Sequence, residues 1–228
     1  SGLKHQSRIF KERGVAMQIV KNKPYHIQTY ELLKNMILSG KLSCGEKINE
    51  IKISQELHIS RSPVREAIRI LEADNLVVPT VSGHIVNPMS PETVHNVYEC
   101  RIGLESYAAR LAIRNFTRED YDILIRSVDQ CRKADAENNL AALIDLNTFF
   151  HDHIVSITKN DFIIMQIERI RNIVTLSRLK ELQQESCDLS YAYKDHIQIA
   201  DKLLEGDEDT VEQLMRNHLS NNMVSILV

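Results

Sequence analysis

The sequence is poor in the residues that interrupt regular structure and in the features that mark secreted or membrane proteins. It has no tryptophan, only seven glycines and five prolines, and 43% apolar and 26% charged residues over a length of 228. This composition is typical of a mostly helical globular protein. No apolar run approaches the roughly 18 residues of a membrane-spanning helix, and no signal-peptide core is seen near the start. The four cysteines are far apart and form no Cys-x-x-Cys pair, so we expect reduced thiols and a cytoplasmic location.

Charge divides the chain into two parts. Residues 1–88 carry 13 Lys and Arg against 8 Asp and Glu, whereas residues 89–228 carry 15 against 23. A basic first part followed by an acidic second part indicates that only the first approaches a polyanion. The length also suits two domains. We therefore expect domains at residues 23–88 and 89–228, preceded by residues 1–22 as an N-terminal tail or a cloning remnant.

The stretch IKISQELHISRSPVREAIRI, residues 51–70, has the pattern of a helix-turn-helix. Its first apolar run meets a break at residues 57–59, and a second amphipathic run begins at Ser60. The apolar stripe of that second run, at helical spacing, comprises Val64, Ala67, Ile68 and Leu71. The polar arc on the other side comprises Arg61, Ser62, Arg65 and Arg69. Arginines in the first turns of a recognition helix suit guanine edges or phosphates in the major groove, although an ordinary surface helix would show the same pattern.

The segments on both sides complete a winged helix-turn-helix. Residues 25–39 have helical periodicity, and the helix that begins near Ser60 is expected to stop at Asn75, a residue that tolerates left-handed backbone. The β-prone runs 76–79 and 84–86 then predict a two-stranded hairpin. Residues 81–84 would form the tip of this wing.

Three segments resemble the DNA-binding domain of the GntR family of bacterial regulators, namely LLKNMILSGKLSCGEKI, SRSPVREAIRILEADNLVV and SGHIV. The resemblance covers residues 23–87 without an internal gap. It implies DNA contacts at six residues, which are Ser60, Arg61, Ser62, Arg65, Gly83 and His84. The two arginines would reach bases or phosphates, and the two serines would bind phosphates and cap the helix. Gly83 and His84 would place the wing near the minor groove.

Four positions depart from the family pattern. His58 and Asn75 replace glycines, but both residue types enter the left-handed region more readily than most. Cys44 replaces a proline in the loop before the helix-turn-helix. Ile51 stands where some relatives have an arginine, so one further DNA contact is expected to be missing.

After Pro88 the sequence becomes helical almost to its end. Ser90 followed by Pro91 is a helix start, Thr117 and Asp161 are further N-cap candidates, and Gly206 is the clearest breaker. Six helices are predicted, at residues 91–115, 118–136, 140–158, 162–183, 189–205 and 207–227. The fold class is therefore mainly α, a winged helix-turn-helix followed by an all-α bundle that can hold a core and a pocket.

Histidines recur in the bundle, at His95, His151, His153, His196 and His218. Asn147 lies four residues before His151, so the two share one helix face. Three imidazoles and one oxygen ligand from three helices would suit zinc, nickel or a similar divalent ion. Dispersed histidines are more often hydrogen-bonded core or surface groups, and the spacing alone leaves both interpretations open.

The bundle also resembles the FCD effector domain, the carboxy-terminal domain of the FadR subfamily of GntR regulators. The matching segments are RIGLE from Arg101, NTFFH from Asn147, KDH ending at His196, and MRNH ending at His218. The metal-binding members have the motif D-x-x-F-H … H … H. The resemblance implies that His151, His196 and His218 are the three histidines of that motif, while Asn147 replaces its aspartate.

An amide oxygen is neutral and binds a metal more weakly than a carboxylate. The expected divalent metal, zinc or nickel, would therefore bind less tightly than in an aspartate-bearing site. Alternatively, a metal-free pocket would bind an organic ligand directly through these side chains. Arg101 would lie near the pocket and pair with an effector carboxylate, or with Glu105 four residues on. His95 and His153 lie off the motif and are expected to be structural.

These features predict a bacterial transcriptional regulator rather than an enzyme. A homodimer would bind a palindromic operator, and a small carboxylate metabolite would modulate it, with repression favoured over activation. No membrane contact is expected. The alternative, a helical-bundle metalloenzyme, needs a general base near the metal; Asp145 and Asp195 are available but form no motif. A third interpretation, an interaction module without DNA binding, is disfavoured because Arg61 and Arg65 are both present.

Overall fold

The computed structural model describes residues 23–182 and 190–227. The chain divides into two compact units between Pro88 and Met89. The described elements, in chain order, are α1 Tyr25–Leu38, β1 Lys47–Ile48, α2 Glu50–Glu56, α3 Arg61–Ala73, β2 Val77–Thr80, β3 Gly83–Val86, α4 Pro91–Ala112, α5 Arg118–Ala136, α6 Leu140–Ile157, α7 Asp161–Leu182, α8 Ser190–Glu205 and α9 Glu208–Leu227. The mainly helical fold class, a winged helix-turn-helix and an all-α bundle, is confirmed.

In the first unit, α1 and α2 pack against α3. The four apolar residues predicted to face the core from α3 are all buried, together with Leu33 and Ile37 of α1. Burying each large apolar side chain contributes roughly 1.5–3 kcal/mol. This packing fixes α3 by one face and leaves its opposite face in solvent.

The turn and the helix end follow the predicted backbone. His58 has φ 53° and Asn75 has φ 56°, so both residues take the left-handed conformation for which glycine is usual. The Asn49 side chain accepts a hydrogen bond from the Lys52 N–H at 3.0 Å and caps α2. Ser60 is the N-cap residue of α3, but its side chain makes no capping hydrogen bond. Of the two roles expected for this side chain, capping is therefore not seen, and phosphate binding stays a prediction.

The wing is larger than the predicted hairpin. Its sheet has three antiparallel strands in the order β1-β3-β2, and Lys47 of β1 pairs with Ile85. The strand at Lys47 is not predictable from the sequence, because a strand of two residues is too short to show alternation. The β2–β3 turn pairs Thr80 with Gly83 and leaves Val81 fully exposed.

In the second unit, α4 packs along α9, and α5, α6 and α8 complete the bundle around a common apolar core. Ser90 and Thr117 cap α4 and α5 as predicted, the latter in a capping box with Asp120. The prediction for α7 was wrong by one residue, because the Asn160 side chain accepts from the Phe162 and Ile163 N–H groups and Asp161 is already helical.

Several expectations concern helix ends and thiols. Helix α4 ends three residues and helix α6 one residue before the predicted limit, and Asp207 caps α9 rather than starting it. The predicted ends at 183 and 189 lie outside the described residues, as do residues 1–22 and Cys187.

Cys44, Cys100 and Cys131 form no disulfide within the described part of the chain. Over the same residues, no helix has both the length and the apolar character needed to cross a membrane.

Candidate functional site

The first candidate site is the solvent face of α3. Arg61, Ser62 and Arg65 are exposed on its first turns, opposite the buried Val64 and Ala67. This is the separation of polar and apolar arcs that helical periodicity predicts. The arrangement leaves both guanidinium groups accessible to a ligand that approaches the start of the helix.

Glu50 lies between these two arginines, a contact that no sequence pattern indicates. Its Oε2 lies 2.9 Å from Arg65 Nε and 3.6 Å from Arg61 Nη2. The hydrogen bond from Arg65 lowers the pKa of Glu50, and the charges of both arginines add to the effect. A separation of 15 residues across a turn follows no sequence periodicity, so only the packing of α2 on α3 reveals this contact.

The wing residues lie near α3 as well. Gly83 has φ 125° at the turn into β3, a conformation that favours glycine. His84 Nε2 lies 3.4 Å from Glu72 Oε2 of α3. The His84 imidazole therefore already contacts a carboxylate of its own domain. The tip of the wing at Val81 is its most exposed part.

The second candidate site is a cluster of three buried histidines in the bundle. His151 of α6, His196 of α8 and His218 of α9 are each no more than 3% exposed. One ring nitrogen from each lies within 4.8 Å of the others, and His196 Nε2 and His218 Nε2 are 3.1 Å apart. The three histidines that the motif selects are thus brought together from three helices.

Two carboxylates orient the cluster from outside. Glu105 Oε2 lies 2.7 Å from His151 Nδ1, and Asp195 Oδ2 lies 3.1 Å from His218 Nδ1. Contacts at Nδ1 leave Nε2 for a metal, which is the usual arrangement around ligating histidines. The sequence analysis considered Glu105 only as a partner of Arg101 and Asp195 only as a possible base. Neither role indicated a contact with histidine.

The imidazoles fit a divalent metal in protonation as well as in position. Burial lowers the pKa of His151 to about 3, although the Glu105 charge opposes this shift. Burial also lowers the pKa of His196 and of His218. Neutral imidazole is the ligating form. His151 Nε2 has no hydrogen-bond partner among the described residues, so a metal would satisfy a buried polar atom that these protein groups do not.

Asn147 faces Arg178. With the amide oriented so that its oxygen meets the guanidinium, it accepts from Arg178 Nη2 at 2.7 Å and also contacts Nη1. This orientation is assigned from the hydrogen-bond network. Arg178 itself is buried. Arg178 is not predictable as a site residue from the sequence, because it lies in α7 outside the motifs that carry the resemblance.

Arg101 lines a cavity beside the histidine cluster. The cavity is open on one side, and its empty space, including the solvent there, is about 300 Å³. Its charged and histidine lining consists of Arg101, Glu105, His151, Asp152, Arg171 and Arg178. Arg101 Nε donates to Glu105 Oε1 at 2.7 Å, while Arg101 Nη1 has no hydrogen-bond partner within the described part of the chain. The two alternatives for Arg101 are therefore compatible, since it pairs with Glu105 and also lines the cavity.

The remaining histidines of the bundle lie outside this cluster. His153 Nε2 lies 3.0 Å from Asp120 Oδ1, and His95 Nε2 lies 3.5 Å from Glu99 Oε1 on an exposed turn. Asn222, which the sequence analysis did not single out, is buried with Nδ2 3.2 Å from His218 Nε2.

Comparison with known proteins identifies both units. Residues 96–221, more than half of the chain, match the FCD domain, and residues 27–81 match the bacterial regulatory proteins of the gntR family. The chain belongs to the GntR family. The "Uncharacterized HTH-type transcriptional regulator YdhC" of Bacillus subtilis is 32% identical over 158 residues, 68% of this chain and 70% of that protein.

Two further relatives agree with this assignment. The "HTH-type transcriptional repressor RspR" of Escherichia coli is 26% identical over 213 residues, 93% of each chain. The crystal structure of a GntR regulator from Rhodococcus sp. RHA1 has the same fold, with a TM-score of 0.75 at 21% identity over 90% of this chain and 98% of its own.

The family assignment settles the class of protein. GntR regulators bind DNA, and FCD domains bind small-molecule effectors and often a metal. The chain is a transcriptional regulator of this family with an FCD effector domain. The prediction that it is not an enzyme is confirmed, because both matched families and these relatives are regulators.

The FCD domain of this GntR protein is expected to lose stability on acidification when metal-free. Unfolded His151 takes up a proton near pH 6.5, but the folded residue stays neutral down to about pH 3. Protons therefore bind the unfolded state preferentially in this window, and lowering the pH from 6.5 to 5.0 should cost about 2 kcal/mol for this residue alone. Denaturant unfolding at a series of pH values measures the effect.

The matched comparison for this measurement is His151→Gln against His153→Gln on the same helix. The first variant should show a smaller fall in unfolding free energy between pH 6.5 and 5.0, and the second should follow the wild type. A wild-type fall in His151→Gln would mean that the burial of neutral His151 is not its cause.

Proposed function

We propose that this GntR-family protein is a homodimeric, ligand-responsive repressor of the FadR subfamily, acting on DNA in the cytoplasm. Its two winged helices would bind successive half-sites of a palindromic operator. The observation that carries the proposal is that one chain has both an exposed arginine face on α3 and, in its FCD domain, a cluster of three buried histidines beside an arginine-lined cavity.

On the DNA side, Arg61 and Arg65 would contact guanine edges or phosphates in the major groove. Ser60 and Ser62 would bind phosphates beside them. Gly83 and His84 would place the wing against the adjacent minor groove. The support for these roles is the exposure of both arginines at the start of α3 and the position of the wing beside the same helix.

On the effector side, a small carboxylate would enter the cavity lined by Arg101 and Arg178. His151, His196 and His218 would hold zinc or nickel, with Asn147 as the weakest candidate ligand. When bound, the metal supplies a Lewis-acidic positive charge that a carboxylate oxygen can coordinate. Glu105 and Asp195 would keep two of the imidazoles oriented with Nε2 towards the metal.

Regulation requires a difference in affinity. The carboxylate can change DNA binding only if it binds the DNA-competent and the DNA-incompetent arrangements of the dimer unequally. The test is a fluorescence anisotropy titration of the protein's operator duplex, with a panel of small carboxylates. At least one should change the apparent Kd about tenfold, within the usual range of allosteric coupling. Robust operator binding that no carboxylate alters would contradict the effector part of the proposal.

Glu50 should govern the specificity of DNA binding. In Glu50→Gln, Arg61 and Arg65 lose a fixed, negatively charged partner and become more mobile and less neutralised. We expect roughly 3- to 10-fold tighter binding to non-specific duplex at physiological salt, together with a smaller ratio of operator to non-specific affinity. Anisotropy titrations on both duplexes measure the ratio.

The control for Glu50→Gln is Glu66→Gln, which also removes one negative charge from the DNA-binding domain. Glu66 lies in α3 and faces His26 instead of the two arginines. If both variants tightened non-specific binding equally and kept the wild-type ratio, general electrostatics would explain the result and the contact with Arg65 would have no role.

A further inference from the structure

Arg178 is a buried cation that the GntR resemblance does not explain. Its side chain is only 5% exposed in the wall of the FCD cavity. Among the described residues, no carboxylate lies within ion-pair distance of it, whereas Arg101 has Glu105 and Arg171 has Asp152. Burial and the charge of Arg101 lower the pKa of Arg178, and the more distant charge of Glu105 and the Tyr98 side chain only partly oppose this shift. A buried guanidinium without an anion is costly, so the cavity favours a ligand that brings a negative charge.

Asn147 is a polar group in direct contact with Arg178, which also interacts with the Tyr98 side chain. Its amide oxygen faces the guanidinium at the position where an aspartate would bring a negative charge. The same oxygen would have to leave Arg178 before it could coordinate a metal. The neutral amide therefore neither cancels the charge of Arg178 nor serves freely as a ligand.

The charges around the histidines show what a metal would require. The imidazoles are neutral, Arg101 and Arg178 are positive, and Glu105 and Asp195 are negative. These side-chain charges balance before a metal binds, so a divalent ion leaves a double positive charge in a buried place. At low effective dielectric such an excess is strongly unfavourable. An anion bound between the metal and the two guanidinium groups would lower this excess by one charge for each carboxylate group that it carries.

We propose that Arg178, held by Asn147, makes the binding of the metal and of the carboxylate in this cavity interdependent. The inference rests on the proposed function for the metal and the cavity. When the cavity lacks an anion, the positive charge of Arg178 repels the metal. When a carboxylate and the metal are both present, Arg178 binds the carboxylate. By linkage, the anion tightens metal binding by the same factor by which the metal tightens anion binding.

The test is a Co²⁺ titration of the full chain, followed by the visible absorption of the bound ion, with and without excess acetate. A parallel titration of Co²⁺ with acetate alone corrects for complex formation in solution. Acetate should lower the apparent Co²⁺ Kd of the wild type at least about tenfold. Arg178→Met should bind Co²⁺ more tightly than the wild type without acetate, and acetate should then lower its Kd by a clearly smaller factor than in the wild type, because only Arg101 and the metal remain to attract the anion.

A second variant and a control make the result specific. Asn147→Asp supplies a carboxylate next to Arg178 and should bind Co²⁺ more tightly than the wild type when acetate is absent. Arg169→Met makes the same substitution as Arg178→Met at an exposed position of the same helix, and it should keep the wild-type acetate dependence. Circular dichroism confirms that each variant is folded.

The outcomes separate this inference from the proposed function. Tight Co²⁺ binding that acetate leaves unchanged in the wild type, or full acetate dependence in Arg178→Met, would overturn the interdependence but keep the metal in the proposed function. A wild type that binds no Co²⁺ under either condition would overturn both the interdependence and the metal.

Discussion

Replacement of Arg61 or Arg65 by alanine is expected to abolish specific operator binding and to leave the protein folded. Each bidentate contact between arginine and guanine discriminates against the wrong base by roughly 1–3 kcal/mol, and a symmetric dimer would lose it in both half-sites. The expected loss is therefore about 2–6 kcal/mol, or roughly 30-fold to more than 10⁴-fold in operator affinity. Both side chains are exposed and make no core contact, so the thermal midpoint should change little.

Arg69→Ala is the matched control for this pair. Arg69 is exposed on the same helix one turn after Arg65, farther from the helix start that enters the groove. Its loss should weaken binding to operator and non-specific duplex about equally, by removing at most one phosphate contact. Retained wild-type specificity in Arg61→Ala or Arg65→Ala would show that the proposed recognition face does not read the operator.

Removal of one imidazole should have the other large effect. His151→Gln is expected to weaken zinc binding by more than about 100-fold, because changes in the outer partners of a metal site already cost 10- to 100-fold and a direct ligand costs more. Gln keeps a polar side chain beside Glu105 and limits the damage to folding. The zinc dissociation constant, measured by competition with a chromophoric chelator, gives the result.

His153→Gln is the control for the zinc measurement. It removes an imidazole from the same helix, two residues away, that contacts Asp120 rather than the cluster. Zinc should raise the thermal midpoint of the wild type and of His153→Gln, but not that of His151→Gln, since a ligand that binds only the folded state stabilises it. Equal zinc affinity in the two variants would remove His151 from the proposed metal site.

Local signals predicted much of the fold. The apolar stripe of α3, the N-caps of α4 and α5, and the left-handed residues His58 and Asn75 each follow from residues close together in sequence. Helix periodicity and capping act over one or two turns, so a single sequence carries them. The strand at Lys47 was missed because two residues carry no periodicity, and only its pairing with Ile85 defines it.

Contacts between residues far apart in the sequence matter even more at the candidate sites than in the fold, and the sequence does not predict them. The resemblance to the FCD motif selects three histidines that the fold brings together. It does not indicate that Glu105 contacts His151, that Glu50 holds Arg65, or that Arg178 contacts Asn147. Each of these contacts joins residues more than a helical turn apart and depends on how two helices pack. The charge balance of the cavity, which decides what it can bind, therefore emerges only from the structure.

Selection of bound duplexes from a random DNA pool tests the central claim most directly. The full chain is loaded with zinc, and the selection is run at about 0.15 M salt, where phosphate attraction alone is weak. We predict enrichment of an inverted repeat whose half-sites contain a guanine within reach of Arg61 or Arg65, and loss of that enrichment in the alanine variants. A folded, zinc-loaded protein that enriches no sequence, with or without added carboxylates, would contradict the proposal that it is an operator-binding repressor.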